Sequence, residues 1–332
     1  MGRLVLKTKL FIHGDSDGVV CGALAYHYYV CKGVDVEIIF THPAGLVEDL
    51  TEFAKPGDRI FIADIALSEK HLREVMDLFS SYNRSGELIY IDHHPEPIGF
   101  DLKELEGLII HDTCCSASEL TYKFFQDTLG FEYSRVALYG AIGDYLDETP
   151  WAREMLHEWD KRSIYFEAGV LAQGLEASRK LYDFKRHVVK HLSENKLPSS
   201  LSELLIRALI ESVSEEEMRI WVKKNVMKLN MLGYVIEPPG SLGRAAHYAR
   251  IYSGKPVGLA ASRHKNNMVI SIRSIREIDL NIVLRIITPK LDGTGGGHPF
   301  AAGARVHTSK FKDFLALLDN ELLLLYGKDI SR

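Results

Sequence analysis

The chain has 332 residues, 46% hydrophobic and 26% charged, enough for two cores of ordinary domain size. Cys21, Cys31, Cys114 and Cys115 show neither CxxC spacing nor a paired framework, which argues against a thiolate zinc site and a secreted disulfide scaffold. The opening MGRLVLKTKL lacks an apolar signal-peptide core, and the late stretch FLALLDNELLLLY is broken by Asp319, Asn320 and Glu321, so the expectation is a cytoplasmic protein without a membrane span.

The net charge of −5 is unevenly spread. Residues 1–150 hold 12 Lys+Arg against 25 Asp+Glu, residues 151–235 hold 14 against 12, and residues 236–332 hold 14 against 8. An acidic part suited to gathering cations therefore precedes a basic part suited to receiving phosphates, although acidic surfaces also simply aid solubility.

In chain order, Leu10 to His13, Val36 to Phe40, Arg59 to Ala63, Leu88 to Ile91 and Leu108 to Ile110 are β-rich runs of strand length, each followed by a loop and a helical pattern. This alternation predicts an α/β fold with a doubly wound parallel sheet over residues 1–150. Residues 151–235 read as a helical connecting segment: Leu201, Leu204, Leu205, Ala208, Leu209 and Val213 follow helical spacing behind Pro198-Ser199-Ser200 and are expected in the core. The break at Glu237-Pro238-Pro239-Gly240 opens a smaller mixed α/β domain, residues 236–332. There Val257 to Ala261 and Met268 to Ile272 are expected as strands, Leu280 to Thr288 and Phe311 to Tyr326 as helices.

In open parallel sheets, ligands sit beyond the carboxyl ends of the strands. Those ends read His13-Gly-Asp15-Ser-Asp17-Gly18, then Asp64, then Asp92-His93-His94, then His111-Asp112, with Asp144 further on in Ala141-Ile-Gly-Asp. A single Asp or His at a strand end ordinarily serves a loop or cap. Four successive ends with ligand chemistry call for another reason. Carboxylates with imidazoles and no thiolate suit Mn²⁺ or a similar borderline cation, and two such ions can serve in-line displacement at phosphorus. In the basic segment, Gly295-Gly296-Gly297-His298 lies close behind Ser271-Ile-Arg273-Ser274 and Arg276, which suggests a backbone cradle for phosphate beside a forked guanidinium. The Cys114-Cys115-Ser116-Ala-Ser118-Glu119 run reads as a loop opening the helix Glu119 to Leu129, and Trp151, Trp159 and Trp221 read as packing residues.

Ile-Tyr-Ile-Asp92-His93-His94 resembles the Asp-His-His signature of the DHH phosphoesterase superfamily, and HGDSDGVVCGAL resembles its first motif. Asp64 in FIADIALS is similar to the second motif and Asp144 to the fourth, while Gly295-Gly-Gly-His298-Pro-Phe-Ala-Ala-Gly303 resembles the motif of the DHHA1 domain of RecJ-like nucleases and nanoRNases. The resemblance implies a DHH catalytic domain at 1–150 and a DHHA1 substrate-binding domain at 236–332. It also implies two Mn²⁺, with Mg²⁺ or Co²⁺ as substitutes: His13, Asp15 and Asp64 at one, Asp17, Asp64, His93 and Asp144 at the other. Asp92 would support the cluster, His94 would lie against the scissile phosphate, and Arg273, Gly295, Gly296, Gly297 and His298 would bind substrate. His13 stands two residues before Asp15, whereas nanoRNases place that His four before the Asp.

The activity so implied is single-strand-specific exonuclease action on DNA or RNA, 3′ to 5′ favoured over the 5′ attack of bacterial RecJ, in a DNA repair or replication setting. Alternatives are a nanoRNase, a cyclic-dinucleotide phosphodiesterase or a phosphatase of 3′-phosphoadenosine 5′-phosphate, all acting on short nucleotides, and an inactive scaffold. A helicase or replisome partner is expected by analogy alone.

Overall fold

A computed structural model describes residues 7–275 and 277–327, so that Arg276 lies outside the described residues. The chain divides into two compact units, Met1–Glu211 and Ser212–Arg332.

The first unit starts as a strict alternation: β1 (Thr8–Ile12), α1 (Ser16–Cys31), β2 (Val36–Phe40), α2 (Leu46–Phe53), β3 (Arg59–Ala63), α3 (Leu72–Ser85), β4 (Glu87–Asp92), β5 (Leu108–His111) and α4 (Ala117–Leu129). The strands form a five-stranded, wholly parallel sheet in the order β2-β1-β3-β4-β5. Alternate residues face opposite sides, as the pleat requires. Leu10, Ile12, Phe61, Ala63, Ile89 and Ile91 pack into one core with α1 and α4, and Phe11, Ile60, Ile62, Leu88 and Tyr90 into the other with α2 and α3. Burial on both faces explains why the inner strands β1, β3 and β4 read as nearly continuous apolar runs. The chain reverses direction across the sheet between β1 and β3, the switch point where ligands collect.

α5 (Ser134–Gly143), α6 (Pro150–Glu158), α7 (Lys161–Glu176) and α8 (Tyr182–Ser193) follow, and Ala137, Leu138, Leu171, Val188 and Val189 extend the α1 core. α9 (Ser202–Asn225) leads into the second unit. Leu204 and Ala208 are buried as expected and Leu201 and Leu205 partly so, but Leu209 and Val213 are 61% and 62% exposed. The helix packs along a narrower seam than the leucine spacing suggests. Its next buried residues, Met218 and Val222, belong to the core of the second unit.

That unit comprises β6 (Met227–Lys228), β7 (Leu232–Ile236), α10 (Leu242–Ser253), β8 (Val257–His264), β9 (Asn267–Ser274), α11 (Leu280–Ile287), β10 (Thr294–Gly297), β11 (Ala301–His307) and α12 (Phe311–Tyr326). Its six strands lie in the order β10-β11-β9-β8-β7-β6, with β7 and β8 parallel and the other pairs antiparallel. α10 covers one face through Ala245, Ala246 and Ala249; α11 and α12 contribute Val283, Leu284, Phe314 and Leu318 to the core on the other. No helix of the described residues is long and apolar enough to cross a membrane.

Candidate metal centre

Each strand end presents its candidate ligand through a distinct local device. After β1, Asp15 caps α1 by accepting from the Gly18 N–H at 3.1 Å, while Asp17 enters the first turn of that helix. After β3, Asp64 takes a left-handed backbone (φ 60), held by its N–H donating to the Ile91 carbonyl at 3.0 Å. A non-glycine residue in that region is strained, and the strain aims the Asp64 carboxylate between β1 and β4. At the end of β4, Asp92 accepts from the His94 N–H at 3.3 Å and lies 2.9 Å from the Tyr90 hydroxyl, so the Asp-His-His run folds back on itself.

Eight residues converge. His13 Nδ1 is 2.7 Å from Asp15 Oδ2 and 3.7 Å from Asp64 Oδ2. His93 Nε2 is 3.3 Å from Asp64 Oδ1, 3.3 Å from Asp144 Oδ2 and 3.8 Å from Asp17 Oδ2. His94 Nδ1 is 2.8 Å from Asp92 Oδ1. His13 with Asp15 and Asp64, Asp17 with Asp64 and His93, and Asp64 with Asp92 and His94 each bring their ligand atoms within 4.8 Å of one another. Asp64 belongs to all three groups.

The electrostatics are those of carboxylates crowded out of water. Burial, then the Asp64 charge, pushes Asp17 well above the ordinary carboxylate range. Asp144 is raised to about 6, by burial first and then by Asp64 and Asp15 against the opposing pull of His93. Burial works against the charged form of His93, but Asp64, Asp17 and Asp144 outweigh it and raise it to about 10. The Asp15 charge lifts His13 in the same way, and burial notwithstanding, Asp92 lifts His94. Asp64 Oδ2 is buried with no hydrogen-bond partner among the described residues. A buried, unpartnered carboxylate oxygen amid oxygen and imidazole ligands fits divalent cations, which would take the place of the protons the cluster now favours.

Several residues that hold this centre escaped the sequence reading. Ser116 caps α4, and the Ala117 and Ser118 N–H groups donate to Asp17 at 2.8 and 3.0 Å, so the helix opening read as a plain loop holds the Asp17 carboxylate in place. Its signal was the Ser-x-x-Glu cap at Ser116 and Glu119. α5 approaches α1 closely enough to present Asp144 because Gly140 and Gly143 lack side chains: a Cβ at Gly143 would lie 2.0 Å from Ser16 Oγ, and one at Gly140 2.8 Å from Asp17 Oδ1. From α8, the buried Lys185 donates to the Gly14 carbonyl in the His13–Asp15 loop. The basic run Arg179-Lys180, Lys185-Arg186, Lys190 suggests an extended groove for a nucleic-acid backbone or a solvated helix face, and the burial of Lys185 runs against both for that residue.

The second unit gathers the expected substrate residues among themselves. Gly295, Gly296 and Gly297 lie in the edge strand β10, paired with Ala304, Gly303 and Ala302. Glycine and alanine side by side let β10 pack tightly beside α11, where Asn281 Oδ1 accepts from the Gly297 N–H at 3.2 Å. His298 opens the turn between β10 and β11, its N–H donating to the Ala301 carbonyl at 3.0 Å. Arg273, on β9, lays its guanidinium over the start of α10, where a Cβ at Gly243 would meet Nη2 at 2.7 Å. A cation at a helix N-terminus is electrostatically unfavourable alone and favourable with an anion between them. Burial, Arg250 and Arg273 together hold His247, one turn along α10, below the usual histidine range.

Residues 230–323 match the family model of the DHHA1 domain. No curated protein matches the sequence. Among solved structures, the chain is similar to RecJ of Thermus thermophilus in complex with Mn²⁺ (18% identity, TM-score 0.66, covering 96% of this chain and 52% of that one). It is also similar to the DHH domain of a member of a ribosomal-protein family (14% identity, TM-score 0.72, 96% and 87%) and to PggH, a pGpG-specific phosphodiesterase from Vibrio cholerae (17% identity, TM-score 0.58, 95% and 99%). The chain thus spans about half the length of the Thermus RecJ chain. It carries a DHHA1 domain at residues 230–323 and shares the fold of the DHH proteins over nearly its whole length.

Proposed function

We propose that the protein is a divalent-cation-dependent phosphodiesterase that degrades single-stranded nucleic acid from its 3′ end. The observation that carries this reading is the sharing of the buried Asp64 carboxylate, whose Oδ2 has no hydrogen-bond partner among the described residues, between the His13–Asp15 and Asp17–His93 groups. In this reading His13, Asp15 and Asp64 hold one Mn²⁺, and Asp17, Asp64, His93 and Asp144 the other. The ions would supply Lewis acidity and activate the attacking water. Asp92 fixes the His94 ring through Nδ1 and favours its charged form, which donates to a phosphate oxygen. Arg273, the β10 glycines and His298 bind a further phosphate or the terminal nucleotide, Arg273 through its forked donors. RecJ, named an exonuclease in its manganese-bound form, supports action on polynucleotides.

A second reading, hydrolysis of short nucleotides, is favoured by PggH, which this chain matches over 99% of its length. Oligonucleotides of DNA and RNA, labelled at either end and from two to about thirty nucleotides long, separate the two. Early release of the 3′ label from long strands, abolished by chelator and restored by Mn²⁺, is the expected result. Rates that collapse beyond a few nucleotides would select the second reading, and full activity in chelator would remove both. A replication or repair partner, carried only by analogy, is tested by whether a helicase copurifies.

A further inference from the structure

Tyr145 directly follows Asp144, whose carboxylate reaches His93. It is 86% exposed, more than any other large hydrophobic residue described, and it stands in the left-handed backbone region at φ 59. The turn that puts it there is well made. α5 ends with Asp144 as its cap, the Tyr145 N–H donates to the Ile142 carbonyl at 3.1 Å, and the Leu146 N–H donates to the Ala141 carbonyl at 2.8 Å. These two bonds are the paired closure that ends helices with a left-handed residue, a place that glycine fills without strain and an L side chain does not. The segment is tied down beyond the turn as well: Tyr165 donates to Asp147 at 2.8 Å, and the Thr149 hydroxyl to Glu119 at 2.7 Å. A large ring is therefore held out into solvent, in a strained conformation, one residue from a proposed metal ligand. Folding gains nothing from this ring, since nothing packs against most of its surface, and strain of this kind is a pointer to function.

We infer that Tyr145 is a stacking platform for the base of the nucleotide whose phosphate occupies the metal centre, so that the site selects base-bearing phosphodiesters over bare phosphate esters. The inference rests on the phosphodiesterase reading. Asp144 and Tyr145 have Cα atoms about 3.8 Å apart, which lets one nucleotide place its phosphate beside the first and its base over the second. Stacking on an aromatic face tolerates any base, as a nuclease without sequence preference requires.

The test compares wild type, Tyr145→Ala, Tyr145→Phe and Tyr145→Gly on a dinucleotide and on its analogue with an abasic tetrahydrofuran residue. Tyr145→Ala should raise KM for the base-bearing dinucleotide roughly tenfold, to the level of the abasic one, with a much smaller effect on kcat. Tyr145→Phe should keep the discrimination, and Tyr145→Gly should lose it while melting no lower than wild type. Equilibrium binding of both compounds as phosphorothioates in Ca²⁺ is measured in parallel and decides the inference by itself. Should the wild type hydrolyse neither compound nor a longer labelled single strand, the phosphodiesterase reading falls, while loss of base-dependent binding in Tyr145→Ala still upholds the platform. Equal KM and affinity in wild type and Tyr145→Ala, or a Tyr145→Gly variant that melts well below wild type, would overturn it.

Discussion

Asp92 Oδ1 lies 2.8 Å from His94 Nδ1 in a buried setting, and the carboxylate is held in turn by Tyr90 at 2.9 Å. The pair sets both the orientation and the protonation of the His94 ring. Asp92→Asn preserves shape but removes the charge that outweighs burial at His94. We expect kcat to fall about 100-fold, with metal affinity falling less, because Asp92 acts through His94. Metal titration by calorimetry alongside steady-state kinetics checks this. A variant with undiminished kcat would remove His94 from its role at the phosphate.

Protonation and metal binding compete at this centre. In the metal-free protein Asp144 is raised from 3.8 to about 6, so its contribution to stability is present below 3.8 and lost as pH rises through 6. His93 is raised from 6.5 to about 10, so its contribution is present below 6.5 and lost as pH rises through 10. Asp144 thus weakens the metal-free protein as pH rises from 3.8 to about 6, and His93 as it rises from 6.5 to about 10. Bound cations replace those protons, so the gain in Tm on adding Mn²⁺ should be larger at about pH 8 than at about pH 5. Thermal melts with chelator or Mn²⁺ across that range test it. An equal gain at both pH values would mean that the cations do not displace these protons.

The parallel sheet was legible because its strands read as short runs rich in β-branched and apolar residues: β2 and β3 begin and end where the sequence places them. The carboxylates and imidazoles that converge beyond the sheet were legible because strand ends are where such sheets bind. Less visible was whatever depends on contacts distant in the chain. Lys185 reaches Gly14 across 171 residues, and the Ala117 and Ser118 amides reach Asp17 across about 100, with no local pattern to announce either. Leu209 and Val213 show the converse: a correct helical period does not say how wide a stripe the neighbouring helices cover. Three glycines in sequence are compatible with a loop and with an edge strand alike, and pairing with β11 decides between them.

Gly143 meets Ser16 so closely that any side chain there displaces α5 from α1. Gly143→Ala should lower stability by about 1–3 kcal/mol and weaken metal binding, because Asp144 is the next residue. Adding Ser16→Gly removes the obstructing hydroxymethyl group and should recover much of both. Denaturant unfolding and Mn²⁺ titration of the single and double variants measure this. A Gly143→Ala protein with wild-type stability and affinity would show that Asp144 needs no such close approach.

Gly243 offers a cleaner probe of the second unit, since the atom a new Cβ would meet is the tip of a flexible side chain and not backbone. In Gly243→Ala that Cβ would lie 2.7 Å from Arg273 Nη2, so the guanidinium must swing away from the start of α10 while the fold stays intact. If Arg273 binds a substrate phosphate equally in ground and transition states, its loss raises KM and spares kcat. We expect KM to rise about tenfold, the scale of one charge-assisted hydrogen bond, with Tm nearly unchanged and a reduced dependence of KM on salt. Arg273→Lys, which keeps the charge without the fork, should recover only part of the loss in Arg273→Ala. Kinetics at two salt concentrations distinguish the roles. Equal losses in kcat and kcat/KM would place Arg273 at the transition state, and no change in either variant would remove it from the substrate site.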